Sequence, residues 1–262
     1  SRGLGDVYKR QCKQDYNHLY SQIPADMPFS NIWLAYSLAP HIPKDSVMHY
    51  AILNSLRAWN FFETPHTVRG YSNVGGFGID GNISALIGAS LCDKNRLYFG
   101  IVGDLAFFYD MNVLGNRHVG NNVRILLVNN GKGMEFRNYT HPVSRFSDTM
   151  VDQYMAGGGH FGQKSISLVR HYSENLGYEY MTASNKDDFN KNMERFLIPE
   201  STDKPMIFEV FTEQDDENEA LRIVRNLEKS ADKIVESFAK KLIISTAGKE
   251  GFEKVKKVIR SR

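Results

Sequence analysis

Apolar residues along this chain fall into two alternating rhythms. Short β-rich runs stand at residues 66–71, 96–102, 123–128, 178–181 and 205–211. Between them, at about 81–91, 105–114, 164–175 and 186–196, apolar positions recur at helical spacing. A further helix is predicted upstream, capped by Asp45 or Ser46 and running to about Phe62. Strands that alternate with helices predict βαβ units, and hence an α/β fold whose central, mostly parallel sheet carries helices on both faces. The runs Leu-Tyr-Phe-Gly-Ile-Val and Arg-Ile-Leu-Leu-Val-Asn-Asn are largely apolar on consecutive residues, as strands covered on both sides must be.

The two ends break this pattern. Residues 1–11 have no apolar periodicity and join abruptly to the segment after them, so they are expected to be a non-native leader on a truncated C-terminal part of a longer protein. Residues 12–45 are expected to form a connector punctuated by Pro24, Pro28, Pro40 and Pro43, and residues 46–220 the main domain. Residues 221–262 read as a helical C-terminal extension, two helices broken near 246–251. That extension holds 12 Lys/Arg against 5 Asp/Glu, after an acidic knot of Asp215, Asp216, Glu217 and Glu219. A solvated helix face is the expectation for such charge, and a basic surface for an acidic partner the alternative.

With 262 residues, 42% of them hydrophobic, the chain can bury a full core. A net charge of +2 gives no argument for a nucleic-acid partner. No apolar run approaches the roughly 20 residues of a membrane-spanning helix, and the start lacks a secretion signal. No membrane contact and a cytoplasmic location are therefore expected. Cys12 and Cys92 have no partner spacing for zinc or a disulfide and are expected to be free, buried thiols. No pair of histidines shows metal-ligand spacing, and no serine or cysteine sits in a nucleophile elbow.

The chemistry is expected at two strand-to-helix turns, because open parallel sheets bind ligands at the carboxyl ends of their strands. The first turn is Val102-Gly103-Asp104-Leu105-Ala106. Its glycine admits a phosphate to the backbone, and the helix start offers free N–H donors. A carboxylate beside a phosphate repels it unless a cation lies between. The second turn, Asn129-Asn130-Gly131-Lys132-Gly133, supplies neutral oxygens from the Asn130 amide and a backbone carbonyl. Mg²⁺ favours such a mixture of one or two carboxylates with neutral oxygens.

Gly103-Asp104-Leu105 followed by Asn129-Asn130 resembles the signature of thiamine-diphosphate (ThDP) enzymes, Gly-Asp-Gly to Asn-Asn. Upstream, Tyr71-Ser72-Asn73-Val74-Gly75-Gly76-Phe77-Gly78-Ile79-Asp80-Gly81 is similar to the Tyr-Ser-Asn-Arg-Gly-x-x-Gly-Ile-Asp-Gly stretch of one such family. That family is the 2-succinyl-5-enolpyruvyl-6-hydroxy-3-cyclohexene-1-carboxylate synthases of menaquinone biosynthesis. The Asp104 to Asn112 run matches it too, so the resemblance covers about residues 54–136.

The resemblance implies a ThDP-binding fold, with ThDP and Mg²⁺ as cofactors. Asp104, Asn130 and the Lys132 carbonyl would hold the metal. Gly78, Ile79, Gly103, Asp104, Leu105, Ala106, Asn130, Lys132 and Gly133 would hold the cofactor. Ile79 would prop it in a bent shape, the Gly78 carbonyl would meet its pyrimidine amine, and Phe136 would lie near the reacting carbon. A 2-oxo acid substrate, a decarboxylase or carboligase activity and a dimer or tetramer are implied by the same resemblance.

Departures from the family limit how much of this carries over. Two arginines that grip substrate carboxylates are replaced by Trp59 and Val74, which puts the family's own substrate in doubt. Arg57, Arg69 or Arg137 are candidates to replace them, and Glu135 to face the substrate. Ala106 stands where a hydroxyl is usual, and the spacing between the half-motifs is about one residue short. The activating glutamate belongs to a pyrimidine-binding domain, which must come from a missing N-terminal part or another chain. His160, in the loop 157–161, is a candidate proton donor.

Alternatives therefore stay open. The chain is either part of a menaquinone-type, acetolactate-type or simple decarboxylating enzyme, or a cofactor-binding or oligomerisation module, inactive without a partner. A Rossmann-like nucleotide binder is a further alternative; it needs a Gly-x-Gly-x-x-Gly turn between its first strand and helix, for which Gly76 to Gly81 is the nearest candidate.

Overall fold

The computed structural model describes residues 2–76, 78–155 and 165–227. The chain divides into two compact units, one of Pro28–Ala220 and one of Ser1–Met27 with the chain from Leu221 onward. In the second unit a single helix, α1 (Arg2–Ser21), runs unbroken across the expected boundary between leader and connector. The expected break near 246–251 and the loop 157–161 with His160 lie outside the described residues.

Pro28–Ala220 is built on six parallel strands: β1 (Val47–Tyr50), β2 (Arg69–Ser72), β3 (Tyr98–Gly103), β4 (Val123–Asn129), β5 (Glu179–Ala183) and β6 (Met206–Phe211). They lie in the order β2-β1-β3-β4-β6-β5. The helices are α2 (Asn31–Leu38), α3 (Asn54–Trp59), α4 (Asn82–Ser90), α5 (Asp104–Asp110), α6 (Met134–Arg137), α7 (Asp148–Met155), α8 (Leu168–Asn175), α9 (Lys186–Phe196) and α10 (Gln214–Arg225).

Alternate residues of the central strands enter two separate cores, because successive side chains point to opposite faces. On one face Ile125, Leu127 and Ile207 pack with Leu86 of α4, Phe107 of α5 and Val169 of α8. On the other, Phe208 stacks on Phe189 of α9 at 5.1 Å, and Trp33 of α2 meets the same Phe189 edge-on at 5.3 Å. Helices cover both faces, so the consecutive burial of β3, β4 and β6 has its cause in the packing. Arg124 is the polar exception within β4. Its fully buried guanidinium donates to the carbonyls of Phe196, Ile198 and Glu200, tying the end of α9 to the amino end of the sheet.

Three expectations need correction. The helix expected from residue 46 to about 62 is strand β1, a turn and the short α3. Consecutive apolar residues fit a buried strand and a buried helix equally well, and the hydrogen bonds of β1 to β2 on one side and β3 on the other decide for the strand. The connector holds helix α2, whose start is capped by Ser30 Oγ accepting the Trp33 N–H at 3.2 Å. Cys12 and Cys92 are free but exposed, not buried. No helix among the described residues is long and apolar enough to cross a membrane.

Candidate functional site

The strand order reverses between β1 and β3, the place where open parallel sheets leave a crevice at their carboxyl edge. A cleft lies there, lined from the turns that follow β1, β3 and β4. Gly103 is in register with Val128, so Asp104 and Asn130 leave adjacent strands side by side. Both line the cleft.

Asp104 is 3% exposed. Its Oδ1 accepts the Leu105 N–H at 2.9 Å, while Oδ2 is buried with no hydrogen-bond partner among the described residues. Burial pushes this carboxyl up from the ordinary 3.8 to about 7, and the backbone N–H groups of Leu105, Gly131 and Lys132 draw it partly back. The influence of Gly131 and Lys132 comes from the β4 turn lying against the β3 turn. An orphaned carboxylate oxygen in an open cleft is a group for which the fold supplies no partner of its own.

The two asparagines of the β4 turn divide into a brace and a lining residue. Asn129 is 4% exposed, donates from Nδ2 to Glu209 Oε1 at 2.7 Å and accepts the Gly131 N–H on Oδ1 at 3.1 Å. Asn130 lines the cleft, its Oδ1 accepting the Lys132 N–H at 3.3 Å. Gly131, at φ 68°, supplies the left-handed step that turns the chain back between them. Lys132 lines the cleft as well, but its Nζ lies 3.4 Å from Gln214 Oε1.

Ile79, Gly103, Leu105, Ala106, Gly133 and Phe136 also line the cleft, so the structure brings together the expected metal and cofactor residues except Gly78. Gly78 is not among the lining residues. It stands next to Ile79, and a Cβ there would collide with Asp80 Oδ1. Phe136 packs edge-on to His141 at 5.4 Å. Asp110, the second carboxylate of the Asp104 to Asn112 run, accepts the Ser84 N–H at 2.7 Å and stabilises the start of α4.

Sequence reasoning missed the contribution of the β1 turn, Ala51 to Ser55, and of Asn31. Leu53 in that turn has φ 67° and ψ −123°, a backbone conformation unfavourable to a residue with a side chain. The signal available is the apolar run ending in Leu-Asn-Ser, which a helical reading of the run hides. Asn31 is held by Glu217, whose carboxylate accepts the Asn31 N–H at 3.0 Å and the Thr212 hydroxyl at 2.7 Å. Glu217 thus turns inward rather than joining a solvated acidic face, and burial pushes its carboxyl up to about 7.

At the two positions that depart to apolar residues, Trp59 is 3% exposed and donates to Asn31 Oδ1 at 3.3 Å, away from solvent. Val74 is 49% exposed. Of the arginines, Arg137 is buried in ion pairs with Asp148 and Asp152, and Arg69 lies exposed on the edge strand. Arg57 pairs with Glu135, a residue of the cleft wall.

The sequence matches the family described as thiamine pyrophosphate enzyme, C-terminal TPP binding domain, over residues 53–210. The chain belongs to that family. Relatives of this TPP-binding domain include the 2-succinyl-5-enolpyruvyl-6-hydroxy-3-cyclohexene-1-carboxylate synthase of Bacteroides fragilis, 32% identical over 203 residues, or 77% of this chain and 34% of the relative. The synthase of the same name from Christiangramia forsetii is 29% identical over 221 residues, 84% of this chain and 36% of the relative. Among solved structures, Rhodococcus jostii RHA1 thiamine diphosphate-dependent 4-hydroxybenzoylformate decarboxylase superposes with a TM-score of 0.52 at 19% identity, over 73% of this chain and 34% of that one. At that identity the likeness speaks for the fold alone. The chain spans 34% and 36% of the length of these two curated relatives.

Proposed function

We propose that this TPP-binding domain holds ThDP through a Mg²⁺ ion taken by Asp104, the Asn130 amide oxygen and the Lys132 carbonyl. The parent enzyme decarboxylates a 2-oxo acid and passes the remaining carbon unit to an acceptor. The observation that carries this reading is the buried, unpartnered Oδ2 of Asp104, in a cleft that Asn130 and Lys132 of the next turn also line. Among the described residues no three or more His, Cys, Asp or Glu side chains gather to hold a metal, so a softer, multi-ligand site has no support there. One carboxylate with neutral oxygens fits a hard cation that keeps phosphate oxygens in its remaining positions.

ThDP, when bound, supplies the nucleophilic carbon and the electron sink for the chemistry, and the protein supplies placement and charge. Gly103 and the start of α5 offer backbone N–H groups to the diphosphate. Ile79 and Phe136 of the cleft wall would pack against the bound cofactor, and the Gly78 carbonyl would accept from its pyrimidine amine. Trp59 and Val74 give no carboxylate grip, so the substrate differs from that of the menaquinone-pathway relatives.

On this reading the domain is silent until a pyrimidine-binding domain completes the site, in an oligomer of the cytoplasm. Calorimetric titration with ThDP, with and without Mg²⁺, tests it. Binding that requires Mg²⁺ and vanishes in Asp104→Ala is the expected result, and unchanged affinity in that variant refutes the site. Release of CO₂ from pyruvate or 2-oxoglutarate by this chain alone overturns the silent-domain part.

A further inference from the structure

Ile79 rests against the core and lines the cleft, on a loop whose other described residues are largely exposed. Between the end of β2 and the start of α4, residues Val74, Gly75, Gly76 and Asp80 are exposed, and Gly81 turns the chain into the helix at φ 80°. Two side-chain amides close this loop. Asn82 Nδ2 donates to the Ile79 carbonyl at 2.7 Å, and Asn73 Nδ2 donates to the Gly81 carbonyl at 3.1 Å. The Gly81 carbonyl also accepts the Ala85 N–H at 3.0 Å, so the second clamp is anchored on the first turn of α4.

A side-chain amide can point either end at a neighbour, and the Asn73 clamp works only with its NH₂ toward Gly81. The other end of the Asn73 amide meets His49 of β1. Its Nε2 lies 3.2 Å from Asn73 Oδ1. The amide oxygen only accepts, so the ring nitrogen facing it must carry the proton. Burial lowers the His49 pKa below the ordinary 6.5, the Asn73 contact working the other way, which favours the neutral ring. His49 itself stands below the cleft, lining a small internal cavity with Asn82 and Leu86.

We propose that His49 is a positioning residue for the cofactor site: by donating from Nε2 to Asn73 Oδ1 it orients the amide that ties the Asn73 to Gly81 loop to α4, and so holds Ile79 in the cleft. The chain of contacts runs from the sheet through His49 and Asn73 to the Gly81 carbonyl, without touching cofactor or substrate. The clamp is a property of this chain, whereas its value to the cofactor rests on the ThDP reading above.

Amide hydrogen exchange on the full cofactor-free chain reads the clamp, and calorimetry with ThDP and Mg²⁺ reads its consequence. His49→Phe keeps a ring but cannot donate, while His49→Gln restores a donor. In His49→Phe, exchange in the Asn73 to Gly81 loop is expected to rise about tenfold, the weight of one net hydrogen bond, with β3 and β4 unchanged. ThDP affinity is expected to fall with it, and His49→Gln to restore both. Unchanged loop exchange, a uniform rise across the sheet, or His49→Gln behaving like His49→Phe each overturns the clamp. A loosened loop with full ThDP affinity overturns its tie to the cofactor. Should His49→Phe not fold, Asn73→Ala cuts the same link from the half-exposed side and is expected to give the same local rise. Wild-type chain that binds no ThDP would sink the cofactor reading alone, and the exchange result would still judge the clamp.

Discussion

Replacing Asp104 by Asn should make the cofactor-free chain more stable at pH 8 while abolishing its response to Mg²⁺ and ThDP. Burial moves this carboxyl from 3.8 to about 7. At about 1.4 kcal/mol per tenfold in affinity for the proton, the ionised form costs the folded chain about 4 kcal/mol at alkaline pH. Because the folded value lies above the unfolded one, the contribution of the protonated group is complete below about 3.8 and is lost as pH rises through about 7. Asparagine cannot ionise and keeps the oxygen that accepts the Leu105 N–H. Its new amide nitrogen takes the place of the unpartnered Oδ2, returning about 1 to 3 kcal/mol of the gain. A net stabilisation of about 1 to 3 kcal/mol at pH 8 remains, and near pH 4, where the ionisation cost is gone, it reverses to a destabilisation of about 1 to 3 kcal/mol. Urea unfolding at both pH values, with the metal chelated, measures it. Saturating Mg²⁺ and ThDP should add about 2.7 kcal/mol to the wild type at a hundredfold excess over Kd, and nothing to the variant. A variant less stable than wild type at pH 8, or one that gains equally from the ligands, refutes the reasoning.

Two further substitutions separate the site from the scaffold. Arg124→Met leaves the carbonyls of Phe196, Ile198 and Glu200 without their buried donor and should cost about 3 kcal/mol in urea unfolding. Arg124 lies at the amino end of β4, so ThDP affinity should hold, and lost binding with full stability would contradict this division. Leu53→Gly releases the positive φ of the β1 turn, worth about 1 to 3 kcal/mol, against about 0.5 to 1 kcal/mol of added chain entropy. A rise in Tm is expected, and a fall would mean that the turn is not strained.

The sheet is legible in the sequence where pattern and packing agree. The run predicted at 123–128 is β4, and the helix predicted at 186–196 is α9, where Asn185 Oδ1 accepts the Asp188 N–H and fixes its start. β1 reads as a helix because the chain from Val47 to Ile52 is mostly apolar, and the polar Asp45 before it looks like a helix cap. In the structure Asp45 has φ 63°, a turn leading into the strand rather than a cap. No local signal distinguishes these outcomes, since hydrogen bonds to β2 and β3, from distant segments, decide. Glu217 escapes a sequence reading for the same reason: its inward direction depends on Thr212 and on the N–H of Asn31, 186 residues away in sequence.

The proposed site is legible because the residues assigned to it lie mainly in two short turns whose residue types suggest the chemistry themselves. Gly103-Asp104 and Asn129-Asn130 state their role locally, whereas Glu209, which holds Asn129 from β6, and Leu53, strained in the β1 turn, act only once the sheet has formed. Burial links the two levels. The desolvation that makes the Asp104 carboxylate costly to the fold would also remove the water that competes for the proposed cation beside it. A more exposed aspartate would burden the fold less and grip the ion less. The instability predicted at this residue and the binding proposed for it therefore have one physical source, and a single substitution should shift them in opposite directions.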